Sequence, residues 1–251
     1  MYQWFTAHKI PLGVWLRDLV DLLNQHAQGF FDLVSLVLGT LIQGLTVTLL
    51  FFSPFILIPI LAALAWLLHR SIGLVVFLVL SLLLIVNLGY WEATIQTLSL
   101  VIWATIVCVL IGVPLGILAA RKPWFFAAIR PVLDLMQTIP TFVYLIPTLV
   151  LFGLGPVPGL ISTVIFSVPA PIRLTHLGIS SVPTQLIEAG KAFGATRWQL
   201  LTKVELPYAL PTIMAGITQC IMLSLSMVVI AALVGADGLG KPVVRALNTV
   251  N

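Results

Sequence analysis

The sequence predicts an all-α protein, a polytopic bundle of about six membrane-spanning helices with a pair of short cytoplasmic helices before the last span. Three observations predict it. Of 251 residues, 60% are hydrophobic and only 8% charged, whereas soluble domains carry about 25% charged residues; mean hydropathy is +1.15. The apolar residues come in runs approaching the roughly 20 that a helix needs to cross a hydrocarbon core of about 30 Å. The 12 Lys and Arg are too few, with 8 Asp and Glu, to coat a soluble domain, and they sit mostly in alternate connections. No basic patch interleaved with aromatics marks a nucleic-acid partner; the expected surroundings are membrane lipid.

Residues Met1–Phe31 hold no apolar core between a basic start and a small-residue cleavage site, so no cleaved signal peptide is expected. Instead Leu12, Trp15, Leu16, Leu19, Leu22 and Leu23 alternate with Arg17, Asp18, Asp21, Asn24 and Gln25 at helical spacing, which predicts an amphipathic surface helix. In Asp32–Phe52 the polar or small residues Ser35, Gly39, Gln43 and Thr46 share one face. That suits a helix lying in the interface or packed on the bundle, with a seventh crossing as the alternative. The spans are expected at Pro54–His69 (extended backwards by Leu49–Phe52), Ser71–Gly89, Thr97–Ala120, Val132–Leu154, Gly159–Thr175 and Ala209–Val234. The organisation is therefore an interfacial region over 1–53, peripheral spans over 54–90, and a core over 91–251 that carries a long polar loop at 178–207.

Orientation follows from the basic residues. Arg70, then Arg121, Lys122 and Arg130, then Arg173, Lys191, Arg197 and Lys203 fall on one side; Lys9, Arg17, Lys241 and Arg245 fall on the other. The connections Tyr90–Gln96 and Gly153–Pro158 contain no Lys or Arg. Basic residues favour the cytoplasmic side, so the 178–207 loop is cytoplasmic and the amino terminus extracytoplasmic.

Within the fourth span Pro140 and Pro147 each remove a backbone donor and crowd the preceding turn. Broken helices at membrane depth persist where they line a cavity or pack in protein. Met136, Gln137, Thr138, Phe142 and Tyr144, with the two prolines, are therefore candidates to line a path. Asp134 is the one acid inside a strong span, and Arg130 four residues earlier is its expected partner. Gly112-x-x-x-Gly116 has the spacing of close helix packing. Cys108 and Cys220 lie in apolar runs and read as buried thiols, and His8, His26, His69 and His176 show no metal-ligand spacing; no metal site is expected. Gly235-x4-Gly240-Lys241 imitates a phosphate-binding loop, but Pro242 stands where a Ser or Thr is needed. These glycines shape an outer turn that plugs or gates the path. No catalytic constellation stands out, so no enzyme activity is expected of this chain.

The most informative stretch is Ser181–Pro207. Ser181 and Thr184 around Pro183 start a helix in which Leu186, Ile187, Gly190 and Phe193 share a face, and Glu188 can pair with Lys191. Gly194 interrupts it. A second short helix with Leu200, Leu201 and Val204 on one face runs until Pro207 opens the next span. The result is a compact knob able to enter a groove on a partner.

Glu188-Ala189-Gly190, three residues, Gly194, nine residues, then Val204-x-Leu206-Pro207 resembles the coupling signature of ABC importer permeases (E-A-A-x3-G-x9-I-x-L-P), with Gly190 and Val204 departing from it. Leu133–Pro147, Leu151–Gly155, Ile172–Thr175, Pro211–Gly216 and Leu225–Ile230 are similar to the branch that imports quaternary-ammonium osmoprotectants such as glycine betaine, proline betaine or choline. The resemblance implies a homodimer of permease subunits, a cytoplasmic ABC ATPase dimer holding Glu188–Pro207 and carrying the ATP and Mg, and an extracytoplasmic substrate-binding protein. It also implies that the aromatic faces of the path can attract a trimethylammonium group, at about 0.5–2 kcal/mol per contact. In that family a further span follows the region of Arg245–Asn248; this sequence stops at Asn251, so either the sequence is truncated or the closing span is missing. The rival reading is a self-sufficient channel or ion-coupled carrier for small cations, which needs several intramembrane ionisable residues.

Overall fold

The computed structural model describes residues 12–249, which are helical almost throughout. His8 and Lys9 lie outside the described residues. The chain runs through α1 (Leu12–Phe51), α2 (Pro54–His69), α3 (Ile72–Asn87), α4 (Trp91–Arg121), α5 (Pro123–Thr138), α6 (Phe142–Phe152), α7 (Pro156–Ser167), α8 (Pro169–Ser180), α9 (Thr184–Ala192) and α10 (Arg197–Leu200). A π-helical turn over Leu201–Glu205 leads into α11 (Leu206–Ser226), followed by α12 (Val228–Leu233) and α13 (Gly240–Thr249). Among the described residues four stretches are long and apolar enough to cross a membrane: His26–Phe51, Trp91–Arg121, Pro156–Ser180 and Arg197–Leu233. The broken pair α5–α6 makes a fifth if it is one span, and α2 and α3 are shorter apolar helices of 16 residues each.

The core forms where backbones come closest. Helix α8 is held between α4 and α11, and glycines face it from both. A methyl group added at Gly116 would stand 2.5 Å from Thr175 Cβ and 2.7 Å from the Ile172 carbonyl oxygen; one at Gly216 would stand 2.9 Å from Leu174 Cβ. The Gly112-x-x-x-Gly116 spacing thus makes the close packing expected of it. Cys108, Leu133, Val168, Ile172 and Cys220 fill the centre, and both cysteines are free thiols.

Helix α1 differs from the two-piece reading: the amphipathic segment and the apolar segment are one unbroken helix of 40 residues. Its small and polar face turns toward the protein. Ile42 is buried against Ala104 and Leu160, Gly39 meets Val157, and Trp103 Nε1 donates to the Leu41 carbonyl at 2.9 Å. Phe30, Leu33, Leu36, Val37, Val47 and Phe51 point away, exposed. A helix that turns its apolar side outward is packed on a bundle in an apolar medium, the reverse of a helix in water. Helices α2 and α3 form a hairpin turning at Arg70, which adopts a left-handed conformation (φ 49°), and Ser71 accepts the Leu74 amide as its cap.

The two ends of the bundle are distinct. At one end Arg121 reaches both Glu205 (3.2 Å) and the Arg197 carbonyl (3.3 Å), so the end of α4 and the 181–205 loop share a side. At the other, the Gly155 amide donates to the Val234 carbonyl and the Leu239 amide to Thr97 Oγ1 (2.9 Å). Positive-φ glycines at 153, 155, 235 and 238 shape these turns, and two of them belong to the Gly235–Lys241 stretch read as a turn.

Candidate functional site

The knob is built from α9, the α10–π turn segment and the glycine between them. Helix α9 ends at a left-handed Gly194 (φ 75°), where the Gly194 amide donates to the Lys191 carbonyl (2.9 Å) and the Ala195 amide to the Gly190 carbonyl (3.1 Å), a Schellman closure. Thr196 then opens α10 with a capping box: its hydroxyl accepts the Gln199 amide, and Gln199 Oε1 accepts the Thr196 amide at 2.8 Å. Replacing Thr196 with alanine is expected to weaken this start by about 1 kcal/mol, visible as faster hydrogen exchange at Trp198 and Gln199 with the remaining spans unchanged.

The second helix does not stop for Pro207. It continues into α11 through Leu201–Glu205, with the Leu206 amide donating five residues back to the Leu201 carbonyl. Pro207 has no amide to donate and crowds the preceding turn; widening that turn to π geometry absorbs the misfit without a break. Gly190 faces this segment, and a methyl group there would lie 3.0 Å from Leu200 Cδ2 and 3.7 Å from Val204 Cγ2. Among the residues of the motif, Glu188, Ala189, Gly194 and Pro207 are exposed and Gly190, Val204 and Leu206 are half-buried. Glu188 makes no ion pair with Lys191 among the described residues. Three large apolar side chains stand out on this polar loop: Leu186, Phe193 (92% exposed) and Trp198 (69% exposed). Trp198 was not singled out by spacing; its place just inside the Thr196 cap was the available signal.

In the fourth span the helix breaks at Ile139-Pro140-Thr141, and α5 and α6 meet at 93°. Ile139 is extended (φ −71°, ψ 134°), as a residue before proline prefers. Pro147 causes no break; α6 runs through it. Met136 and Gln137 are half-buried near the end of α5, Thr138 and Pro140 are exposed at the break, and in α6 Phe142 is exposed while Tyr144 and Pro147 are half-buried. The Tyr144 hydroxyl is buried without a hydrogen-bond partner. Thr148 and Ser162 hydroxyls meet at 2.9 Å and hold α6 to α7.

Asp134 corrects the expectation. It pairs not with Arg130 but with Arg173 on α8, at 2.7 Å, and the same guanidinium donates to Gln137 Oε1 at 3.1 Å. Nearest-turn spacing favoured Arg130, but α5 turns Asp134 toward α8, while Arg130 is exposed nearer the end of the bundle. A separate cavity of about 370 Å³ lies between α1, α4 and the Gly235–Gly238 turn, lined by Gln43, Thr46, Glu92, Gln96 and Asp237 among others. None of the path candidates reaches it.

A bundle of broken and tightly packed apolar helices, with a glycine-hinged amphipathic knob at one end, defines a polytopic helical membrane protein. Residues 112–251 match the family described as "Binding-protein-dependent transport system inner membrane component", and the chain belongs to it. It is 47% identical to the glycine betaine transport system permease protein OpuAB of Bacillus subtilis over 96% of this chain and 85% of that one. It is 45% identical to the glycine betaine/carnitine permease GbuB of Listeria monocytogenes (95% and 86%). Identity to the glycine betaine/proline betaine permease ProW of Escherichia coli is 44% (98% and 70%). Among solved structures, the fold resembles an inward-facing MetNI methionine ABC transporter at TM-score 0.55 and 24% identity, covering 61% of this chain and 77% of that one.

Proposed function

We propose that this chain is the permease of an ATP-driven importer of quaternary-ammonium compatible solutes, working as two copies. A cytoplasmic ABC ATPase dimer, carrying the ATP and Mg, holds the knob, and an extracytoplasmic binding protein delivers the solute. The observation that carries the reading is the knob: exposed Leu186, Phe193 and Trp198 on an otherwise polar loop are what a partner's groove would cover. Its base is tied to α4 by Arg121 and is continuous with α11, so movement of a partner would reach two spans. The solute class is supported by the relatives, which are named for glycine betaine, proline betaine and carnitine. The exposed Phe142 at the break offers a ring face to a trimethylammonium group.

The test is co-purification with a candidate ABC ATPase and reconstitution with a candidate substrate-binding protein in liposomes. Glycine betaine uptake that requires ATP is the expected result; uptake driven by an ion gradient without nucleotide would favour a self-sufficient carrier and overturn the proposal.

The amino terminus is extracytoplasmic in this reading. What supports it is the bias of Lys and Arg toward the connections that share a side with the 178–207 loop. A Gly13→Cys variant in intact cells is expected to react with an impermeant thiol reagent; labelling only after the membrane is opened would place it inside.

A further inference from the structure

We infer that Arg173, with Asp134 and Gln137, lines the cytoplasmic part of the translocation path and receives a zwitterionic solute there, Arg173 taking its anionic oxygen and Asp134 its cationic nitrogen. The inference rests on the reading of the chain as a compatible-solute permease.

The geometry is unusual for a structural ion pair. Arg173 sits within the Pro156–Ser180 span, seven residues or about 10 Å from its inner end. Asp134 and Gln137 occupy the last turn and a half of α5, directly before the break. Their sequence neighbours Ile172 and Leu133 are 2% and 1% exposed in the centre of the core, yet the Arg173 and Asp134 side chains are 36% and 56% exposed. The two helices therefore present a charged face beside the most deeply buried cluster. Ionisable groups on spanning segments face a water-filled cavity or the bundle interior, because contact with lipid tails costs several kcal/mol. Stability gives little reason for the pair, since exposed ion pairs contribute little and glycine-mediated contacts already hold α8 in place.

Chemistry supplies the reason. A guanidinium has five N–H donors; one nitrogen here serves Asp134 and another Gln137, which leaves donors for an incoming oxyanion. Asp134 uses one carboxylate oxygen and keeps the other. The solutes named for the relatives (betaines and carnitine) each carry a fixed cationic nitrogen and a carboxylate. Phe142 and Tyr144 suit the nitrogen only. Among the path candidates none carries a positive charge, so Arg173 is the group that would distinguish a betaine from choline, which has the same cation and no carboxylate.

The experiment uses the reconstituted importer with Cys108→Ala and Cys220→Ala, into which Gln137→Cys is introduced. An impermeant thiosulfonate applied from the ATPase side is expected to label Cys at 137, and glycine betaine to slow labelling severalfold while choline at equal concentration does not. Arg173→Gln should abolish that difference, and Arg173→Lys, which keeps the charge, should restore part of it. A thiol that never reacts, or equal protection by both solutes with Arg173 intact, overturns the inference. ATP-driven betaine uptake by the parent complex, measured alongside, separates the two claims. If it persists, only the path assignment falls; if it is absent, the permease reading falls with it.

Discussion

A Gly194→Val permease is expected to insert normally and to lose at least tenfold of its ATP-driven uptake, while Gly194→Asn keeps most of it. Gly194 holds φ 75°, and no atom lies within 4 Å of where a side chain would begin, so the obstacle is backbone conformation and not space. A left-handed conformation costs a residue with a Cβ about 1–2 kcal/mol, more for a β-branched one, whereas asparagine tolerates it. Valine would open the Schellman closure and swing α9 away from the Thr196 cap. Phe193 and Trp198, on either side of the hinge, would then no longer present one surface. Glu188→Lys is expected to act similarly by reversing charge on the exposed face of α9. Membrane content by immunoblot and uptake in the reconstituted complex together decide it; full uptake by the valine variant would remove the knob from the mechanism.

Gly116→Leu is expected to abolish the folded protein. Its Cβ alone would press on Thr175 and on the Ile172 backbone, which cannot move aside as a flexible side chain could. Overpacking usually costs about 1–3 kcal/mol, and here the leucine's further carbons add to a contact that is already backbone-limited. The matched control is Gly44→Leu on α1, where nothing lies within 4 Å. Chromatography and thermal unfolding in detergent should show an aggregated or strongly destabilised first variant and an unchanged second. A monodisperse Gly116→Leu with wild-type Tm would mean that α4 and α8 are not held at this point.

How far the sequence spoke can be traced residue by residue. Apolar runs located the spans because hydrocarbon thickness imposes a length on each of them. The helix end at Gly194 and the break at Pro140 were legible because each is a local backbone effect. Pro147 and Pro207 were not: a proline removes one hydrogen bond, and whether the helix breaks or widens depends on neighbours that sequence spacing does not reveal. Asp134 shows the limit most clearly. Its partner Arg173 is 39 residues away, and no periodicity within α5 points to α8. The joining of both amino-terminal segments into α1 escaped for a related reason, since the pattern changes from amphipathic to apolar while the helix does not stop.

The run from Arg197 through Leu233, interrupted only by a turn at Met227, has a mechanical consequence. At 37 residues it measures about 55 Å, so it acts as a lever whose short arm is the knob and whose long arm ends at the Gly235–Gly238 turn. A push of a few ångströms at Trp198 would travel along one run of backbone to the opposite end of the bundle, with no relay of side chains between separate helices, because a π-helical turn and not a loop joins the knob to α11.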